Sequence, residues 1–414
     1  MKWKSCYCMS YNNIIWGLTV ILLSGFIIFE KYSWGKYLFL FLSGIIFIID
    51  NIVNRGSFIP KTSFQIKFGL FIGYCFITSL WSLNFSNTIE FSMTLVLIYI
   101  CLTLIMPYYL RKKNIDILLS VLMWASIVVS VYTISFYGID NLIAASKTQY
   151  IRLGNDYSNI NTVGMFCAFG VVIQFERWLY NKKIQLSMFF TLISIFVVLC
   201  TQSRKAFLLI VIGCLIIVIM KNYSTKNILY SIIKITMISI FVIIFIFIMF
   251  QFNIFSGVQE RLMQLFSVFT GVGELDSGSV NRKLLVELGM KIWKEYPILG
   301  IGLNCPRIIV RQELGFDAYI HNNFVELLCA TGLIGFTLYY SMYVYILVQL
   351  LKLKRYNRRY YILGVMWVII SLIMDIGMVS YYGKIQCFYL MTQFLNIYYL
   401  KYKSIIKNTE GELC

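Results

Sequence analysis

Long apolar runs separated by short polar clusters dominate the chain. An α-helix needs about 20 mainly apolar residues to cross the hydrocarbon core of a bilayer. Twelve runs approach that requirement: residues 13–29, 37–50, 66–83, 89–110, 115–136, 160–179, 184–201, 206–220, 233–252, 323–350, 361–379 and 386–400. The second is short, and the seventh and eighth are separated only by the polar knot Thr201-Gln-Ser-Arg-Lys205. The pattern predicts an all-α, polytopic membrane protein of about 12 transmembrane helices, organised as a single membrane domain over residues 1–414. Two connections stand out. Residues 137–159 form a modest outer loop, and residues 253–322 form a long one just before the tenth span. Loops of that length are usually functional. No 20–50-residue repeat or low-complexity tract is present.

Composition supports the same class. Hydrophobic residues make up 59% of the chain, charged residues only 13%, and the mean hydropathy is +0.77. Soluble domains carry about 25% charged residues, and a soluble fold could not hide this much apolar surface. The net charge of +18 does not indicate nucleic acid, because the basic residues sit in small groups flanking the apolar runs, as expected of membrane spans. With the N-terminus in the cytoplasm, 22 of the 36 Lys and Arg residues fall on the inner side. Both termini are therefore expected inside. The first apolar run has no small-residue cleavage site and reads as a retained span. The 11 cysteines are mostly scattered in apolar runs, read as small apolar residues, and suggest no disulfide framework.

The chemistry-bearing residues gather on the outer side. Within 253–322, seven acidic residues balance seven basic ones, so membrane topology does not explain its charges. From Ser279-Val-Asn-Arg282, Leu284, Leu285, Leu288, Ile292 and Trp293 recur at helical spacing. Asn281 or Ser279 can cap this helix, Pro297 ends it, and Gly300-Ile-Gly302 makes a tight turn. The helix is expected to lie at the membrane surface, with Arg282 in its first turn, either as an anchor or as a substrate contact. His321, the only histidine, stands at the mouth of a span beside Asn322, Asn323 and Glu326. Histidine titrates near neutrality, so His321 is either a base or an interfacial cap. Arg204 lies between two apolar runs and needs a partner or a water-filled cavity. Glu90, Glu326 and Asp375 are ionisable residues at span ends, either functional or structural. Glu274-Leu-Asp276 has the spacing of a metal pair but reads as solvated acids, and Gly271-Val-Gly273 lacks the context of a phosphate loop. No metal or other cofactor is expected. Convergent arginines (Arg152, Arg204, Arg282, Arg307, Arg311) suit phosphate, whose oxygens match the guanidinium fork. A histidine suits proton abstraction from a hydroxyl.

Four segments resemble the O-antigen ligase/polymerase superfamily. They are Arg152-Leu-Gly154 with Asn159-Ile-Asn161-Thr-Val-Gly164; Gln202-Ser-Arg204-Lys-Ala206; Arg282 through Trp293-Lys-Glu-Tyr-Pro297-Ile-Leu-Gly300-Ile-Gly302-Leu-Asn304; and His321-Asn-Asn-Phe-Val-Glu-Leu-Leu-Cys-Ala-Thr-Gly332-Leu-Ile-Gly335. They occur in the family's order over roughly residues 150–340; the N-terminal third matches only in hydropathy. The resemblance implies a membrane-embedded, GT-C-like, metal-independent glycosyltransferase in the bacterial cytoplasmic membrane, with its active site on the extracytoplasmic face. His321, Arg204 and Arg282 take the catalytic positions, while Arg152, Asn161, Asn322, Glu326, Arg307 and Arg311 are substrate contacts. Donor and acceptor are glycans linked to polyprenyl pyrophosphate, and the implied protein partners are a chain-length regulator and a flippase. A polymerase joins repeat units into O-antigen or capsular polysaccharide; a ligase moves the finished chain to lipid A–core or another acceptor. The polymerase branch is the more variable in sequence, which suits a chain where only short motifs stand out. A flippase or transporter would place ionisable residues at the midplane of paired, Gly/Pro-broken halves. This chain has four prolines and no evident halves.

Overall fold

The computed structural model describes residues 2–56, 61–148, 153–154, 156–181, 186–223 and 277–412, with isolated residues between 229 and 263. In chain order the helices are α1 (Lys2–Ile28), α2 (Gly35–Asn54), α3 (Ser63–Ile77), α4 (Phe85–Lys112), α5 (Ile115–Tyr137), α6 (Ile139–Lys147) and α7 (Ile160–Asn181). They continue with α8 (Leu186–Cys200), α9 (Arg204–Asn222), α10 (Ser277–Glu295), α11 (Pro306–Leu314), α12 (Asn323–Leu353), α13 (Arg358–Asp375) and α14 (Lys384–Glu412). There is no strand among the described residues.

Among the described residues, eight of the predicted spans are helices long and apolar enough to cross a bilayer; α8, at 15 residues, is a shorter apolar helix. The runs at 361–379 and 386–400 fall largely in α13 and α14, whereas 233–252 lies almost wholly outside the described residues. Within the stretch 137–159, residues 139–147 form the short helix α6.

Span helices expose large apolar side chains and bury some polar ones. On α2, Phe41, Ile48 and Ile52 are exposed while Ser43 and Asp50 are buried, and Arg111 of α4 pairs with Asp50. That inversion of the soluble pattern is what a lipid environment selects. Several buried hydroxyls are satisfied within their own helices: Thr19, Ser130, Thr133 and Thr392 each donate to the carbonyl four residues back.

The chain divides into two compact units, Met1–Gly35 with Asp116–Leu275, and Lys36–Ile115 with Asp276–Cys414. In the first, small residues let helices approach closely: a Cβ on Gly170 of α7 would sit 1.8 Å from Ser126 Oγ of α5. Ser130 Oγ of α5 also lies within hydrogen-bond distance of Ser194 Oγ of α8, at 3.0 Å.

The second unit is knitted by a buried polar network around Asn323. Its Nδ2 donates to Tyr340 Oη (2.9 Å) and Asp375 Oδ2 (3.2 Å), and its Oδ1 accepts from the backbone N–H groups of Ser380 (2.8 Å) and Tyr381 (3.2 Å). Tyr340 Oη also donates to Asp375 Oδ2 at 2.9 Å. One side chain thereby ties α12 to the end of α13 and the loop before α14. Asn323→Ala strips acceptors from two buried N–H groups and is expected to cost about 2–4 kcal/mol, read as a lowered unfolding midpoint in detergent.

Candidate functional site

In the second unit, the site is built from α10, the turn after it, α11 and the start of α12. Helix α10 begins at Ser277, two residues before the expected cap at Ser279, which puts Arg282 in its second turn instead of its first. Arg282 is exposed, while Leu285, Leu288 and Ile292 on the other face pack with Ile301, Ile320 and Val325. That burial follows from the helical spacing of the leucines. Gly289 lets α12 approach, since a Cβ there would lie 2.6 Å from Val325 Cγ1.

The turn predicted at Gly300-Ile-Gly302 is present, with φ of +68° and +105° at its two glycines. It lies against a break in α12, where Gly332 leaves the helix at φ +62°, ψ −169°. The freed backbone groups pair with the turn. Ile301 N–H donates to Cys329 O (3.0 Å), Gly302 N–H to Ala330 O (2.9 Å) and Leu333 N–H to Pro297 O (2.9 Å). A broken helix at membrane depth is tolerated when its backbone is re-paired in this way. The connection between α3 and α4, together with the first turn of α4, clasps the other side of the turn. Leu83 N–H donates to Ile301 O (3.0 Å), Thr88 Oγ1 to Leu303 O (3.1 Å), and Asn87 and Asn304 bond each other in both directions.

His321 sits in the tight turn leading into α12, in the left-handed region at φ +58°. Non-glycine residues there cost about 1–2 kcal/mol, so the surroundings must hold it. Glu326, buried, accepts the N–H of Ile320 on its Oε2 at 2.8 Å. Asn322 caps α12 by accepting the N–H of Val325 at 3.1 Å. The backbone is thus pinned on both sides of His321, whose ring lies 4.1 Å from that of Tyr319. Arg307 on α11 pairs with Asp317 at 2.9 Å, and Lys291 of α10 with Glu313 of α11 at 3.6 Å. Both pairs are exposed and contribute little to stability. Arg311 is exposed on α11. The structure therefore brings His321, Asn322 and Glu326 together, with Arg307 held nearby in the chain by Asp317.

In the first unit, the second and first motifs meet. A Cβ on Gly164 of α7 would lie 2.6 Å from Thr201 Oγ1 and 3.3 Å from Ser203 Cβ, so only glycine lets the knot seat on α7. Gln202 adopts φ +50° and its side chain donates to the carbonyls of Ala145 and Thr148. Ser203 caps α9 and Arg204 is its first residue. A cation at a helix N-terminus, where the dipole is already positive, creates a place that favours an anion. Asn161 lies in the first turn of α7, following Asn159, whose Oδ1 accepts its N–H at 3.0 Å. The loop before α7 is tethered by Glu30, which accepts from Ser158 and from Asn159 N–H. Burial pushes the Tyr157 phenol well above its usual range, so it stays neutral beside Thr133. Arg152, Glu274 and Asp276 lie outside the described residues.

Sequence reading missed Tyr319, Asp317 and the clasp from Leu83, Asn87 and Thr88. The clasp joins residues more than 200 positions apart, with no local signature.

Residues 189–340 match the family model described as O-antigen ligase. The match covers less than half of the chain and supports its resemblance to the O-antigen ligase/polymerase superfamily. The matched stretch holds Arg204, Arg282, Arg307, Arg311, His321, Asn322 and Glu326, together with the turn and the broken helix. No curated protein matches the chain.

The bond from Ile320 N–H to Glu326 separates two roles for that carboxylate. A glutamine can still accept the bond through its amide oxygen but cannot take a proton. If Glu326 positions His321, Glu326→Gln keeps transfer within about tenfold of wild type, while Glu326→Ala orphans a buried N–H and costs about 1–3 kcal/mol. A loss of 10²-fold or more in Glu326→Gln, at unchanged stability, would make Glu326 the base.

Proposed function

We propose that the chain is a polysaccharide polymerase. It transfers a glycan from a polyprenyl-pyrophosphate-linked donor to a hydroxyl of a second lipid-linked repeat unit, at the outer face of the bacterial cytoplasmic membrane. The observation that carries this reading is the His321 turn: one imidazole in a left-handed conformation, its backbone held on both sides by Glu326 and Asn322. Strained, over-determined backbone of this kind concentrates at functional sites.

The acceptor oxygen attacks the anomeric carbon as its proton passes to His321. The bond from that carbon to the pyrophosphate oxygen breaks, and the electron pair leaves with the polyprenyl pyrophosphate. Direct displacement inverts the anomeric centre. Pyrophosphate is a good leaving group once its charge is met, so the acid side of the reaction falls to cations. Arg282, exposed on α10, and Arg204, at the start of α9, are assigned that role. Each charge-assisted hydrogen bond supplies about 1.5–3 kcal/mol, and it speeds the reaction only as far as it strengthens during departure. Arg307, Arg311, Asn322, Asn161 and Arg152 are assigned to binding the glycan and its phosphates. Because Asn322 commits its side-chain oxygen to the helix cap, its amide N–H₂ is the group that meets substrate.

A ligase is the second reading, favoured by the description of the matched family. The lipid-linked and surface glycans of a deletion strain separate the two. Single repeat units alone indicate the polymerase. Long lipid-linked chains that never reach their acceptor indicate the ligase, and an unaltered glycan profile would overturn both.

A further inference from the structure

Far from His321, the second unit encloses a cavity of about 370 Å³ at the other end of its spans. Tyr345 in its wall lies toward the C-terminal end of α12, beyond the break at Gly332, whereas Asn323 is at its start. Four cations line it, Lys61, Arg111, Lys113 and Lys401, and no acidic residue does. Arg111 is engaged by Asp50, and Lys113 lies 4.0 Å from the ring of Tyr402. Among the described residues Lys61 and Lys401 have no acidic partner. The remaining surplus is three lysines around one hollow.

The rest of the wall says which anion belongs there. Met106, Pro107 and Leu110 of α4 face Phe394 and Leu395 of α14, giving the cavity an apolar side. A soluble phosphate has no use for such a surface, whereas glycerol and acyl carbons do. Hydroxyls sit at the boundary: Ser63 and Tyr345 bond each other at 3.0 Å, and Tyr398 is partly exposed. Tyrosines at that depth mark the headgroup level. The lysines belong to basic connections on the side expected to face the cytoplasm.

We propose that this cavity holds the phosphodiester headgroup of an anionic phospholipid, with Lys61, Lys113 and Lys401 around the phosphate and the α4–α14 wall against the first acyl carbons. Basic pockets between spans on this side suit such lipids, and each lysine near the surface strengthens binding by about fivefold.

Purified full-length protein in dodecyl maltoside would be titrated with short-chain phosphatidylglycerol, with phosphatidylcholine of the same chain length, and with inorganic phosphate, following the unfolding midpoint. Phosphatidylglycerol is expected to raise it saturably, at concentrations at least tenfold below the other two. Lys401→Gln should weaken that response about fivefold, and the triple variant Lys61→Gln/Lys113→Gln/Lys401→Gln on the order of a hundredfold. Lys283→Gln, elsewhere in the unit, should leave it unchanged. Equal response to phosphatidylcholine, an unaltered Lys401→Gln variant, or inorganic phosphate acting as tightly as the lipid would each overturn the proposal. The readout involves no glycan, so it stands or falls apart from the transfer reaction.

Discussion

Replacing His321 by alanine is expected to slow glycosyl transfer by about 10²–10⁴-fold, the usual contribution of a general base. The variant must be read with its backbone in mind. His321 occupies φ +58°, where alanine gains no local hydrogen bond to offset the strain. Two companion variants remove that ambiguity. His321→Asn accepts the left-handed conformation readily but is not a base at neutral pH. His321→Gly relieves the strain altogether. All three should lose transfer while His321→Asn and His321→Gly keep the unfolding midpoint of the wild type. Added imidazole should restore part of the rate in His321→Gly alone or most strongly, because it leaves the largest space beside Tyr319. Wild-type rates in His321→Asn would remove the histidine from the reaction.

The second large effect is structural. Gly332→Ala places a Cβ 2.1 Å from Ile298 O and 2.6 Å from Leu299 N, both backbone atoms that cannot swing away, at φ +62°. The strain of the left-handed region adds to an overpacked joint, for an expected cost of about 2–5 kcal/mol. The joint between residues 297–302 and 329–334 carries α12 and therefore the His321 turn, so activity should fall with stability. A Cβ at the neighbouring Gly335 would also crowd Thr331, but it meets no main-chain carbonyl or amide among its nearest atoms and the φ there is not left-handed, so no backbone strain is added. Gly335→Ala is therefore expected to be the milder of the two. The unfolding midpoints of both variants in one detergent check the order.

Hydropathy made the spans legible because the bilayer fixes their length and demands that they be helical. The amphipathic helix before Pro297 and the Gly300–Gly302 turn were equally readable, since spacing and glycine punctuation are local signals. What stayed hidden is long-range. The run 323–350 reads as one smooth span, and nothing in its hydropathy shows that Gly332 breaks the helix to receive the turn. Asp375 stood out as a charge in a span, but its partners Asn323 and Tyr340 come from another helix. The N-terminal third offered only hydropathy, yet Leu83, Asn87 and Thr88 hold the turn that supports the site. For the site itself, the resemblance named residues; the structure adds the physical reasons for Gly164, Gly300 and Gly332 and the pinning of His321.

The most direct test of the central claim is transfer by the purified protein in proteoliposomes supplied with a polyprenyl-pyrophosphate-linked repeat unit and excess EDTA. The account predicts longer lipid-linked glycans and one released polyprenyl pyrophosphate for each bond formed, with both products lost in His321→Asn. Lipid-linked repeats that cross the bilayer without any new glycosidic bond would contradict it and make the protein a transporter.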